Sequence, residues 1–113
     1  MTEITIYHNP RCSKSRQTLN LLQEKGLEPT IVLYLETPPD IDTLRNIVRM
    51  LDAPLIDIVR KGETAFRPEM LEWSEDKLLA EMVKNPILLE RPIVVAGGNA
   101  RIGRPPESIL DIL

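Results

Sequence analysis

The sequence predicts an α/β fold: a four-stranded mixed sheet, one half parallel and the other a hairpin, with a block of helices set into the strand order. Three observations carry this. Strand, helix and strand patterns follow one another within the first 35 residues, which is the length of a βαβ unit with parallel strands. Two short apolar runs flank Gly97-Gly98-Asn99 near the other end, the signal of a hairpin. Between them, from about residue 40 to 89, the apolar spacing is helical and the breaks are marked by proline and capping residues.

The elements follow in order. Glu3 to Tyr7 alternates around Ile4 and Ile6 and reads as a short strand. Leu19, Leu21 and Leu22 form a helical stripe that stops at Gly26. Thr30 to Leu35 is nearly continuous in apolar residues, so a strand buried on both faces is expected there. Pro38-Pro39 closes this unit, and Asp40 is placed to cap a helix carrying Ile41, Leu44, Ile47, Val48 and Leu51. Asp52-Ala53-Pro54 starts a further short helix. Ser74 caps Glu75 to Lys84, which Asn85-Pro86 ends. Ile93 to Ala96 and Ala100 to Ile102 are the hairpin strands, and Pro105-Pro106-Glu107 opens a last helix with Ile109, Leu110 and Ile112 as its apolar side. The order β-α-β, helices, β-β-α is a thioredoxin-like arrangement with a helical insertion at about 40–89, and residues 1–113 read as a single domain.

Composition narrows the function. The 113 residues are 42% hydrophobic and 27% charged, as in an ordinary soluble domain with one core. Met1-Thr2-Glu3-Ile4 has no leader character, and the longest apolar run, Ile31 to Leu35, is far short of a membrane span. With a single cysteine, no internal disulfide is expected, and a cytoplasmic location follows as the default. One histidine and one cysteine do not build a zinc site, so no metal is expected. Dinucleotide and phosphate-loop glycine motifs are absent, so no bound cofactor is expected either.

The net charge of −3 is unevenly spread. Ile4 to Gln23 contains Arg11, Lys14 and Arg16 and no acid; Arg91 to Pro106 contains Arg91, Arg101 and Arg104 and no acid. The other eight basic residues share the rest of the chain with all 17 acidic ones. An acidic protein with two purely cationic segments is suited to holding a small anion between them, whereas nucleic acid is not an expected partner. Cys12 sits inside the first segment, after a strand and before a helix, where free N–H groups and the positive end of the helix dipole lower a thiol pKa. The five polar residues Ser13 to Gln17 that follow it set it apart from a packing cysteine. Other fates for these charges are a solvated helix face for Arg11, Lys14 and Arg16, and a surface position for Arg60.

His8-Asn9-Pro10-x-Cys12-Ser13-x-Ser15-Arg16, Arg91-Pro92-Ile93-Val94-Val95 and Ile102-Gly103-Arg104-Pro105-Pro106-Glu107 together resemble the glutaredoxin-coupled, ArsC-type arsenate reductases over essentially the whole chain. The resemblance implies that Cys12 is the nucleophile toward arsenate and that His8 helps keep it ionised. It further implies that Arg60, Arg91 and Arg104 hold the oxyanion and its thiol adduct. Pro92 would carry a cis peptide bond facing the site, and Asn9, Ser15 and Arg16 would support the loop. Glutathione would act as co-substrate and glutaredoxin as partner, with no membrane association and a monomeric protein. The chemistry is consistent: guanidinium groups bind tetrahedral oxyanions through paired, charge-assisted hydrogen bonds. A lone cysteine also needs a second thiol from another molecule to supply two electrons. A phosphatase-type Cys-x5-Arg loop would need arginine at Thr18, and a Cys-x-x-Cys redox pair would need cysteine at Ser15. Two alternatives stay open: a housekeeping thiol oxidoreductase acting on another oxyanion or a glutathione adduct, and a non-catalytic binding or regulatory protein on this fold.

Overall fold

The computed structural model describes residues 3–113; Met1 and Thr2, part of the segment read as lacking leader character, lie outside the described residues. Strand β1 (Ile4–Tyr7) leads into helix α1 (Ser13–Glu24) and strand β2 (Thr30–Val32). Helices α2 (Ile41–Leu51) and α3 (Glu75–Lys84) follow, with short 3-10 turns at Leu55–Ile58, Pro68–Glu72 and Pro86–Leu88. Strands β3 (Ile93–Ala96) and β4 (Asn99–Ile102) and a C-terminal 3-10 helix, Pro106–Ile112, complete the chain. The sheet order is β2-β1-β3-β4, with β1 and β2 parallel and the other neighbours antiparallel.

The sheet is covered on both faces. Ile4, Ile6, Val94 and Ala96 pack against Leu22 of α1 and Ile109 of the C-terminal helix. Ile93 and Ala100 face the opposite way, into a larger core with Leu44, Ile47 and Val48 of α2 and Leu78, Leu79 and Met82 of α3. The two-sided burial that the sequence suggested for the second strand belongs to β3. The apolar run from Ile31 to Leu35 instead splits: pairing stops at Val32, Ile31 is 45% exposed on the sheet edge, and the chain turns so that Tyr34 drops fully into the core. Edge position and a tight turn explain the shortness of β2.

Helix ends obey local chemistry. Asp40 Oδ1 accepts from Thr43 N–H at 2.8 Å and Ser74 Oγ from Lys77 N–H at 3.2 Å, so α2 and α3 start where capping predicts. At the end of α1, Leu27 N–H bonds Leu22 C=O and Gly26 N–H bonds Gln23 C=O, with Gly26 at φ +77°. This paired closure needs a left-handed residue, which glycine adopts without steric cost. The last segment departs from expectation. After Pro105-Pro106 it forms tighter 3-10 turns, burying Ile109 while Leu110 stays 38% exposed.

Candidate functional site

Cys12 is the residue immediately before α1, with extended backbone (φ −92°, ψ 123°). Its sulfur therefore sits at the open end of the helix while its own carbonyl accepts the first helical bond, from Arg16 N–H at 3.0 Å. The loop before it is tightly held. Cys12 N–H donates to Asn9 C=O at 3.0 Å, Arg11 N–H donates to Asn9 Oδ1 at 3.0 Å, and Arg16 Nη1 donates to Pro10 C=O at 2.8 Å. Arg16 thus braces the loop. Arg11 and Lys14 are exposed.

Beneath the loop lies Ser15, fully buried. Its Oγ accepts Asn9 N–H at 3.0 Å and stands 2.6 Å from His8 Nδ1. Ser15 O–H has no other acceptor among the described residues, so it donates to Nδ1, and His8 carries its proton on Nε2. Burial, followed by the nearby Arg16 charge, holds the His8 pKa below its ordinary value. His8 is therefore neutral at neutral pH and acts on Ser15 rather than on the sulfur. The structure places His8 against Ser15, the residue whose backbone N–H faces the Cys12 sulfur.

Two arginines come to the thiol from the open end of the β3–β4 hairpin, the end of the sheet at which β1 runs into the Cys12 loop. The Arg91–Pro92 and Arg104–Pro105 peptide bonds are both cis. Gly103 N–H bonds Pro92 C=O at 2.9 Å, which joins the two arginine-bearing segments just beyond the β3–β4 ladder. Arg104 Nε donates to Arg91 C=O at 2.9 Å, leaving its Nη2 to donate to Cys12 Sγ at 3.5 Å. Burial pushes the Cys12 thiol up, but Ser15 N–H, the Arg91 charge, Lys14 N–H and the Arg104 charge outweigh it and hold the pKa below the ordinary value. Of the six cations in the two acid-free segments, Arg91 and Arg104 are the ones that act on the sulfur. Arg101 instead bonds Ala100 C=O at 2.9 Å.

Arg60 is joined to Arg91 through Glu90, with its charge already matched. It pairs with Glu63 at 2.6 Å and lies 4.0 Å from Glu90, while Glu90 also lies 3.3 Å from Arg91 Nη1. These carboxylates were not visible as site residues in the sequence, because their approach depends on how the insertion closes.

Two further residues escape a sequence reading. Gly103 is buried where any Cβ would overlap Thr18 Oγ1 and stand 2.8 Å from Pro92 Cγ, so the close approach of α1 to the arginine segments requires glycine. Among the described residues, neither the hydroxyl of the fully buried Tyr34 nor Arg91 Nε has a hydrogen-bond partner of good geometry. A tyrosine within an apolar run was the available signal, since a buried phenol normally finds a partner.

No helix among the described residues is long and apolar enough to cross a membrane. The model of the ArsC family matches residues 7–112. The chain is 53% identical to the Escherichia coli K12 protein YfgD, itself uncharacterized, with 98% of this chain and 97% of that one covered. It is 44% identical to an arsenate reductase of Neisseria meningitidis serogroup A, with both chains covered completely. A solved arsenate reductase from Vibrio cholerae superposes with a TM-score of 0.94 at 43% identity, covering 99% of this chain and 98% of that one. The thiol at a helix start, the two arginine-proline segments and the thioredoxin-like sheet thus occur together in a chain whose full-length likeness is of one kind: it belongs to the ArsC family.

Proposed function

We propose that this protein reduces arsenate to arsenite through Cys12, with glutathione and glutaredoxin supplying the electrons. The observation that carries the reading is the Cys12 sulfur at the open start of α1, 3.5 Å from Arg104 Nη2 and with its thiol pKa lowered. Arsenate reductases of 40–44% identity along the whole chain support the substrate.

In this reading an oxyanion lies between the helix start and the Arg91 and Arg104 guanidiniums, with Arg60 at the rim. The Cys12 thiolate attacks arsenic, an S–As bond forms, and one oxygen leaves as water. The glutathione sulfur then joins Cys12 in a disulfide as the S–As bond breaks. Its electron pair stays on arsenic, which departs as arsenite. The two thiols together lose the two electrons that arsenic gains. Glutaredoxin cleaves the mixed disulfide by thiol exchange and restores Cys12. The protein acts as a monomer in the cytoplasm, where a reducing thiol pool is maintained.

The test is arsenite formation by purified protein with glutathione and glutaredoxin, beside Cys12→Ser. Turnover in the wild type alone is expected; turnover retained in Cys12→Ser would refute the assignment. A second reading, reduction of another oxyanion or of a glutathione adduct, is favoured by one observation: Glu63 and Glu90 already neutralise part of the arginine charge. It predicts a folded protein whose Cys12 titrates low yet turns over no arsenate. A purely binding role would instead survive Cys12→Ser.

A further inference from the structure

Beside the site lies a buried hydrogen-bond donor that no described residue accepts from. Tyr34 sits in the turn after β2 with no exposed surface, ringed by the larger apolar core; the Asn9 amide lies near its oxygen, but among the described residues no acceptor takes its O–H. An unmet buried hydroxyl is costly and uncommon and calls for an explanation, which a ligand in the adjoining site would supply. The charges around this oxygen are those of the site itself: Arg91, Arg60 and the Cys12 sulfur, with the Asn9 side chain beside it. The turn is fixed against the thiol loop, because His8 N–H bonds Val32 C=O at 2.8 Å and Thr37 N–H bonds Leu33 C=O at 2.8 Å. The ring therefore cannot swing away without unpacking the core. Arg91 Nε is a second buried donor without a partner among the described residues, and the Arg91 charge is felt at the Tyr34 oxygen.

We infer that Tyr34 O–H and Arg91 Nε are paired donors for the oxygens of a tetrahedral oxyanion bound against Cys12, making Tyr34 a substrate-positioning residue. The inference deepens the oxyanion-reducing reading proposed above. The phenol supplies a neutral donor, because burial, opposed but not overcome by Arg91 and Arg60, holds its pKa above the ordinary value. A neutral donor among guanidiniums orients an oxyanion without adding to the positive charge, so it favours one arrangement of oxygens over tumbling in a purely cationic cup.

The experiment is Tyr34→Phe, measured three ways: thermal stability, arsenate turnover, and protection of Cys12 from iodoacetamide by sulfate. Because the O–H has no acceptor among the described residues, the variant should be about as stable as the wild type. At the same time kcat/KM for arsenate and the sulfate protection constant should both weaken, by about tenfold to a hundredfold. The pH midpoint of Cys12 alkylation without sulfate should not move. Unchanged turnover and protection would overturn the inference and leave the reductase reading standing. A fall in stability accompanying the loss of activity would also overturn it, since the hydroxyl would then be structural. If sulfate protection weakens in Tyr34→Phe but the wild type does not reduce arsenate, the inference holds and the reductase reading falls. Absence of sulfate protection in the wild type would overturn the inference outright.

Discussion

Gly103→Ala is a sharp test of how the site is assembled. The added Cβ overlaps Thr18 Oγ1 and lies 2.8 Å from Pro92 Cγ and 3.1 Å from Thr18 Cγ2. Thr18 cannot simply turn aside, because it is fully buried and its hydroxyl already donates to Lys14 C=O at 2.8 Å. Overpacking of this kind costs about 1–3 kcal/mol. Surrendering the Thr18 bond adds about 1 kcal/mol, so the expected loss is about 2–4 kcal/mol. With a urea slope of about 2 kcal/mol/M, the midpoint should fall by roughly 1–2 M. Whatever movement relieves the overlap is felt one residue on, at Arg104, so the alkylation rate of Cys12 near pH 7 should drop as well. Thr18→Ala removes two of the three close contacts, and the double variant should be more stable than the sum of the single losses by about 1 kcal/mol. A Gly103→Ala protein with the wild-type urea midpoint and wild-type thiol reactivity would refute this account of the packing.

The Cys12 alkylation rate should rise with pH around a midpoint below the ordinary thiol value of about 8.5, and Arg104→Ala or Arg91→Ala should move that midpoint upward while leaving Cys12 reactive. An unmoved midpoint in both would remove the arginines from the thiol's environment. His8 has a folded pKa below its unfolded value, so below about pH 6.5 the unfolded chain binds more protons and stability falls as the pH drops through the folded pKa. Urea midpoints measured from pH 7.5 down to 5 should show this decline, and His8→Asn should flatten it; an equal decline in the variant would refute the buried neutral imidazole. Glu90→Gln releases a carboxylate 3.3 Å from Arg91, and sulfate should protect Cys12 roughly fivefold better, about 1 kcal/mol; unchanged protection would show that Glu90 does not compete for the site.

What could be read from the chain depended on how local the cause was. The caps at Asp40 and Ser74 and the glycine stop at Gly26 are decided within a few residues, and each element starts or ends there. The thiol's setting was legible for the same reason, since a helix start makes its own field. The run from Ile31 to Leu35 was not, because inward-pointing apolar residues look alike whether the backbone pairs or turns, and only tertiary position sends Tyr34 into the core. The five-residue turn at Pro68–Glu72 is too short to show a period. Arg60 could be aligned by its motif, but the carboxylates that occupy it are brought in by chain closure, to which one-dimensional spacing is blind.

That closure has a consequence for how this architecture can vary. Val59 and Leu89 form an isolated antiparallel bridge, Arg60 N–H bonds Leu88 C=O at 2.7 Å, and Glu90 N–H bonds Ile58 C=O at 3.0 Å. The stretch between them leaves and returns through a single stitched neck beside Arg60 and Arg91. Lengthening such an excursion costs little chain entropy, about 0.6 kcal/mol for each doubling, because its ends are already joined. Exposed turns within residues 61–87 could therefore be lengthened while the neck keeps the rim of the thiol pocket in register, but Met70, Leu78, Leu79 and Met82 are tied to the core under the sheet. The insertion is thus free in its outer turns and fixed at its root, and a graft that retains Ile58–Arg60, Leu88–Arg91 and the core-facing side chains of α2 and α3 should carry the site's geometry with it.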